Sequence, residues 1–196
     1  MGLDTNSWID LDVDFSTKII RQEIEENCLP SNNQVYHDSK WVSSKVNVFV
    51  WRALIDRIQT NGALNHRNIM PSPSCTSCGA DYETPDHTLI NCEHAVKVWH
   101  AIFSWCKIPI IPVNSVGQIL SIPNTLPVTP DTRKIIHTVF LTGLWCIWKA
   151  RNERIFNKST MSNATMGDIK SLSFLWLNSR GKLATLKWRS WTKSLL

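Results

Sequence analysis

Four residues constrain this chain more than any others: Cys75, Cys78, His87 and Cys92, in the spacing Cys-x2-Cys-x8-His-x4-Cys. Two cysteines separated by two residues bend the backbone so that both thiols point to one side. Gly79 follows directly, where a tight turn tolerates a residue without Cβ. A histidine and a cysteine five positions apart can close the other side, and the eight residues between the pairs suit a small knuckle. Three thiolates and an imidazole are the donor set of a tetrahedral structural zinc site. With all four positions taken by protein, no place remains for a reactive water, so one structural Zn2+ is expected. His94 is the nearby rival ligand, and His87 is preferred because it leaves a workable loop on both sides.

The remaining cysteines, Cys28, Cys106 and Cys146, lie among or beside apolar helical positions and read as buried thiols. The first 25 residues carry acids rather than a basic head and an apolar stretch, so no secretory signal is read. Six cysteines are then not expected to form a disulfide framework, and an intracellular location, nuclear or cytoplasmic, is expected. No apolar run approaches the roughly 18 residues of a membrane span.

The 196 residues are 43% hydrophobic with a net charge of +5, which suits a packed chain rather than a disordered one. That +5 divides into −5 over residues 1–40 and +10 over residues 41–196. A basic body points to an anionic partner, with RNA or DNA the leading candidate. Ten tryptophans add to this, because aromatics beside Arg and Lys can stack bases while the cations hold phosphates. Trp145 and Trp148, beside Lys149, Arg151 and Arg154, read better as core residues at helical spacing. For Trp188 and Trp191, beside Lys187, Arg189 and Lys193, core and base-stacking readings stand level.

The periodicities predict a mainly α protein: a small helical domain with a CCHC zinc-knuckle turn, followed by a C-terminal helical segment. Residues 1–40 form an acidic leader, with a strand-like alternation from Trp8 to Phe15 and a short helix from Ser16 to about Asn27. Asp10, Asp12 and Asp14 lack the Gly and Glu of a calcium loop and are expected to be a solvated face. Residues 41–106 are the zinc-binding domain. Within it, Val46, Phe49, Val50, Ala53, Leu54 and Ile58 make one face of a helix over 45–59. Thr60 caps a helix over 61–68 with Leu64 inward, and a helix over 93–106 turns Val96, Trp99, Ile102, Phe103 and Cys106 inward. Five prolines between 107 and 131 suggest a linker or a surface loop. Residues 132–196 form a basic, Trp-rich helical region. Its helices run over 132–156, capped by Thr132, and over 165–179, with Ile169, Leu172, Leu175 and Trp176 inward.

At this point the chain resembles a known family. Lys45-Val-Asn-Val-Phe-Val-Trp-Arg52, Thr60, the Cys75/Cys78 pair, Glu83-Thr-x-x-His87, Cys92 and Trp99 are similar to the reverse-transcriptase zinc-binding domain of plant non-LTR (LINE-type) retrotransposons. Trp145-x-x-Trp148-Lys-x-Arg151-Asn152 with Phe156 resembles a downstream segment of the same proteins. The resemblance spans about residues 8–193 and is strongest over 41–106. Ser43-Ser44 stands where the family has a proline before its Lys-Val pair, and Ile58-Gln59-Thr60 replaces Leu-Pro-Thr.

The resemblance implies an accessory module of a retrotransposon polyprotein that binds RNA or DNA beside a reverse transcriptase. Arg52, Arg57, Arg67 and Lys97 flank the knuckle as candidate phosphate contacts, with Lys187, Trp188 and Arg189 in the tail. No polymerase activity is expected, because no Tyr-x-Asp-Asp occurs: Tyr36 and Tyr82 are not followed by an acid pair. No catalytic residues, small-molecule substrate or membrane partner are expected either. Two alternatives remain at this stage: a protein–protein scaffold docking on a polymerase, and a decayed element fragment without a selected function.

Overall fold

The computed structural model describes residues 36, 38–157, 164–181 and 187–194. The expectations for the leader, including the 8–15 strand, the 16–27 helix and Cys28, lie outside the described residues. Tyr36–Leu196 form one compact unit. It is mainly helical, with no strand among the described residues and a single antiparallel bridge between Ser74 and Tyr82.

Helix α1 (Ser44–Leu54) forms where Val46, Phe49, Val50 and Ala53 repeat at three- and four-residue steps, and all four are buried. It stops five residues earlier than the spacing predicts. Asp56 takes a left-handed conformation (φ 55°), which breaks the helix, yet Ile58 still reaches the core at 4% exposure. Thr60 caps α2 (Asn61–Asn65), its side chain accepting from the Ala63 amide at 3.2 Å as its position suggests. That helix makes little more than one turn, because Asn68 is again left-handed (φ 57°), and Leu64 is only half-buried.

A π-helical turn (His87–Asn91) leads into α3 (Glu93–Trp105), which buries Ala95, Trp99, Ile102 and Phe103. Residues 107–131, expected as a linker or surface loop, contain a helix. Ser115 caps a helix, α4 (Val116–Thr125), whose side chain accepts from the Gln118 amide at 3.2 Å. Val116, Ile119 and Ile122 recur on one face and are buried. The proline count hid this face: only Pro123 falls inside the helix, in its last turn.

Helix α5 (Pro130–Asn157) is the hub. It packs against α1, the π-turn, α3, α4 and α6 (Ala164–Ser179). Its cap is Thr129 rather than Thr132, the Thr129 hydroxyl accepting from the Thr132 amide at 3.2 Å, with Pro130 as first helical residue. Ile136, Val139, Phe140, Leu144 and Trp148 fill the core. Phe140 meets Trp99 and Phe103 edge-on, at 5.5 and 5.9 Å between ring centres. In α6, Leu175 is exposed, contrary to its expected inward position, and Leu177 is the fully buried leucine. The helix rotation set by Ile169 and Ser173 explains this: 169, 173 and 177 share a face and 175 falls opposite.

A last short helix, α7 (Trp188–Lys193), resolves the tail. Trp191 is core, at 3% exposure, and its carbonyl accepts from Trp105 Nε1 at 2.8 Å. Trp188 stays half in solvent against Phe174. Cys106 and Cys146 are buried thiols, both raised to about 12 by burial. No helix among the described residues is long and apolar enough to cross a membrane.

Candidate metal centre

The ligand atoms of Cys75, Cys78, His87 and Cys92 all lie within 4.8 Å of one another. Local backbone geometry explains how. The chain from Pro73 to Glu83 doubles back: the Cys75 amide donates to the Asp81 carbonyl at 2.7 Å and the Glu83 amide to the Pro73 carbonyl at 2.8 Å. At the tip, the Gly79 amide donates to the Cys75 carbonyl at 2.8 Å, and Gly79 has φ +76°, a conformation natural to glycine. The Ser77 amide points at Cys75 Sγ at 3.4 Å, a contact that favours a thiolate.

The second pair is set by the π-turn. Its widened ring runs from the Cys92 amide to the His87 carbonyl at 2.7 Å, an i to i+5 step. That step returns positions 87 and 92 to one side, which an α-helical turn would not do. The Thr84 hydroxyl accepts from the His87 amide at 3.0 Å and fixes the start of the turn.

The distances fit a cation of zinc's size. Zn–S bonds of about 2.3 Å and Zn–N bonds of about 2.0 Å make tetrahedral edges of about 3.8 Å between sulfurs and about 3.5 Å between sulfur and nitrogen. Cys75 Sγ and Cys92 Sγ are 3.9 Å apart, and Cys78 Sγ and His87 Nε2 are 3.4 Å apart. The Cys75 thiol donates to Cys92, which pushes Cys75 up to about 12 and lowers Cys92, so the two compete for one proton. A divalent cation at this position would hold both as thiolates and end that competition. With Nε2 facing the sulfurs, His87 Nδ1 faces Asp81 Oδ2 at 3.7 Å, the side from which a carboxylate orients a ligating imidazole. His94 lies instead beside Glu93, at 3.5 Å.

A second set of residues, which sequence reading did not assign to the site, holds the knuckle to α5. Glu83 is fully buried and meets Arg151 through two parallel hydrogen bonds, at 2.7 and 2.9 Å. Asn61 joins them: its amide donates to Glu83 Oε2 at 2.9 Å and its Oδ1 accepts from Arg151 Nη2 at 3.0 Å. Its side-chain amide reaches the Ser74 carbonyl and Thr76 Oγ1, at 2.8 and 3.0 Å. One turn on, Arg154 Nη1 donates to the Ser77 carbonyl at 2.6 Å, between the two cysteines. Glu83, Arg151 and Asn152 all stood in the resembling segments, but a single sequence does not reveal that residues 68 positions apart pair.

The candidate phosphate contacts are dispersed. Arg52, Arg57 and Arg67 are exposed near α1 and α2, and Arg52 donates twice to the Arg57 carbonyl, at 3.1 and 2.8 Å. Lys97 is exposed on α3 beside Glu93. Lys187, Trp188 and Arg189 are exposed at α7, which is anchored through Trp191 to Trp105 and Lys170. Arg151 and Arg154, turned onto the knuckle, are occupied structurally.

Comparison with known proteins adds one match. Residues 15–99 fit the family described as zinc-binding in reverse transcriptase, and all four clustered ligands fall inside the matched span. No curated protein and no solved structure matches the chain.

Proposed function

We propose that this chain, whose residues 15–99 match the family described as zinc-binding in reverse transcriptase, is a zinc-stabilised accessory module that binds RNA or DNA. One structural zinc is held by Cys75 Sγ, Cys78 Sγ, His87 Nε2 and Cys92 Sγ. The observation that carries this reading is the pair of ligand edges, 3.9 and 3.4 Å, at tetrahedral spacing inside the family's span. The ion supplies folding energy rather than chemistry: comparable sites bind with on the order of 10 kcal/mol, and a fully protein-ligated ion has no position for substrate. The module works beside a reverse transcriptase and carries no polymerase activity of its own.

Nucleic-acid binding is supported by the +10 charge of residues 41–196 and by the exposure of Arg52, Arg57, Arg67, Lys97, Lys187 and Arg189. These side chains contact phosphates, with Trp188 beside the last two. Titrating salt against the affinity for RNA and for duplex DNA tests the reading. Each phosphate contact contributes about −0.7 to −0.9 to the slope of log affinity against log salt. A steep slope that falls by about one unit in Arg67→Ala is expected. A flat slope, or no binding at low salt, counts against it.

A further inference from the structure

A groove of about 570 Å3 opens between α1 and the C-terminal half of α5, with Asn61 and Arg151, which hold the knuckle, in its wall. A smaller recess of about 300 Å3 adjoins it and shares Lys45, Trp145 and Phe156. The combined size is that of a ligand site rather than a packing defect. The walls are aromatic: Phe49 meets Trp145 edge-on at 5.4 Å. Phe156 stands on the rim at 79% exposure, a position that core packing does not explain. Four cations line the same walls: Arg151, already held by Glu83, and Lys45, Arg52 and Lys149, against a single lining acid, Glu153, which pairs with Lys149 at 3.4 Å. The Lys45 ammonium already lies 5.1 Å over the Trp145 ring.

We propose that this groove takes the unstacked bases of a single-stranded nucleic acid, with Trp145 and Phe156 as the stacking surface and Lys45, Arg52 and Lys149 on its phosphates. The inference rests on the nucleic-acid reading above and sharpens it. Charge complementarity selects a polyanion, and the aromatic walls select one whose bases are free. A duplex hides its bases and offers the groove only phosphates, whereas every unpaired base has a face to stack. Arg52, tethered to the Arg57 carbonyl, is held at the mouth rather than free to swing away.

The test uses the full zinc-loaded chain with three probes of equal length: a single-stranded uridine oligomer, an abasic oligomer with the same phosphates, and a duplex. The uridine oligomer is expected to bind about tenfold or more tighter than the abasic one, from base–aromatic stacking. Phe156→Ala, at a solvent-exposed position, removes that advantage and leaves abasic binding and its salt slope unchanged. Lys45→Ala weakens the uridine and abasic oligomers alike. If Phe156→Ala binds uridine as the parent does, while binding stays salt-dependent, the groove assignment fails and the general nucleic-acid reading stands. If the parent binds none of the three probes, both fail. Conversion of a dimer to a monomer by Phe156→Ala, with oligomer binding intact, assigns the groove to a second copy and overturns the proposal.

Discussion

Arg151 grips Glu83 in a two-pronged ion pair, Nε to Oε1 at 2.7 Å and Nη2 to Oε2 at 2.9 Å, with neither residue more than 4% exposed. The pair joins the far leg of the metal knuckle to the central helix across 68 residues of sequence. Asn61 and Thr88 take up further bonds on the carboxylate, so the buried charge is well satisfied. Trp148 lies 4.8 Å under the guanidinium and shields it from water.

Removing one partner therefore strands the other. Arg151→Ala is expected to destabilise the zinc-loaded protein by about 3–5 kcal/mol, read from urea midpoints, because Glu83 is left charged and buried. Arg151→Lys recovers only part of this, since an ammonium cannot make the parallel pair. Glu83→Gln with Arg151→Met should cost clearly less than the sum of the single changes. Additive losses would show that the pair does not act as a unit.

Gly143 sets how closely α3 and α5 approach. A Cβ there would lie 2.9 Å from Ile102 Cδ1 and 3.2 Å from the Trp99 ring. The isoleucine tip can shift, so Gly143→Ala is expected to be close to neutral: the helix-propensity gain of about 1 kcal/mol offsets the squeeze. Gly143→Leu cannot be absorbed and should cost about 1–3 kcal/mol, seen as a lower Tm. Equal stability of the two variants would contradict this packing.

Cys106 and Cys146 give the protein an alkaline signature. Both thiols are pushed by burial from an ordinary 9.0 to about 12. Between those values the unfolded chain releases protons that the folded chain keeps, so stability should fall as pH rises from 9 towards 12. The Cys106→Ala, Cys146→Ala variant, compared with its parent by denaturation at pH 7.5 and 10, should lose less stability over that interval. In the native parent at pH 8 neither thiol should react promptly with a thiol reagent, and both should react once guanidinium unfolds the chain.

Helices α1 and α3 were legible in the sequence to within about five residues because one apolar face of each is buried, and α5 through its long apolar run, buried on most sides at the hub. The ends were less so: the left-handed turns at Asp56 and Asn68 cut α1 and α2 short without a glycine to announce them. Helix α4 was masked by prolines, most of which lie outside it. The clustering of Cys75, Cys78, His87 and Cys92 was readable because thiols at knuckle spacing have few other uses. The grip on the knuckle was not. Glu83, Asn61 and Arg151 are ordinary surface residue types, and only the fold buries them together. In sequence Arg151 and Arg154 lie beside Lys149 as a basic cluster, yet both turn inward onto the knuckle.

The central claim is a structural zinc on Cys75, Cys78, His87 and Cys92, and metal analysis of the purified chain tests it most directly. The parent should carry one equivalent of zinc, and Cys78→Ser combined with His87→Ala should carry almost none. Loss of the ion should also unfold the knuckle, while far-UV circular dichroism retains most of the signal of α5 and α6. A parent without zinc, or a double variant that still holds a full equivalent, would contradict the account.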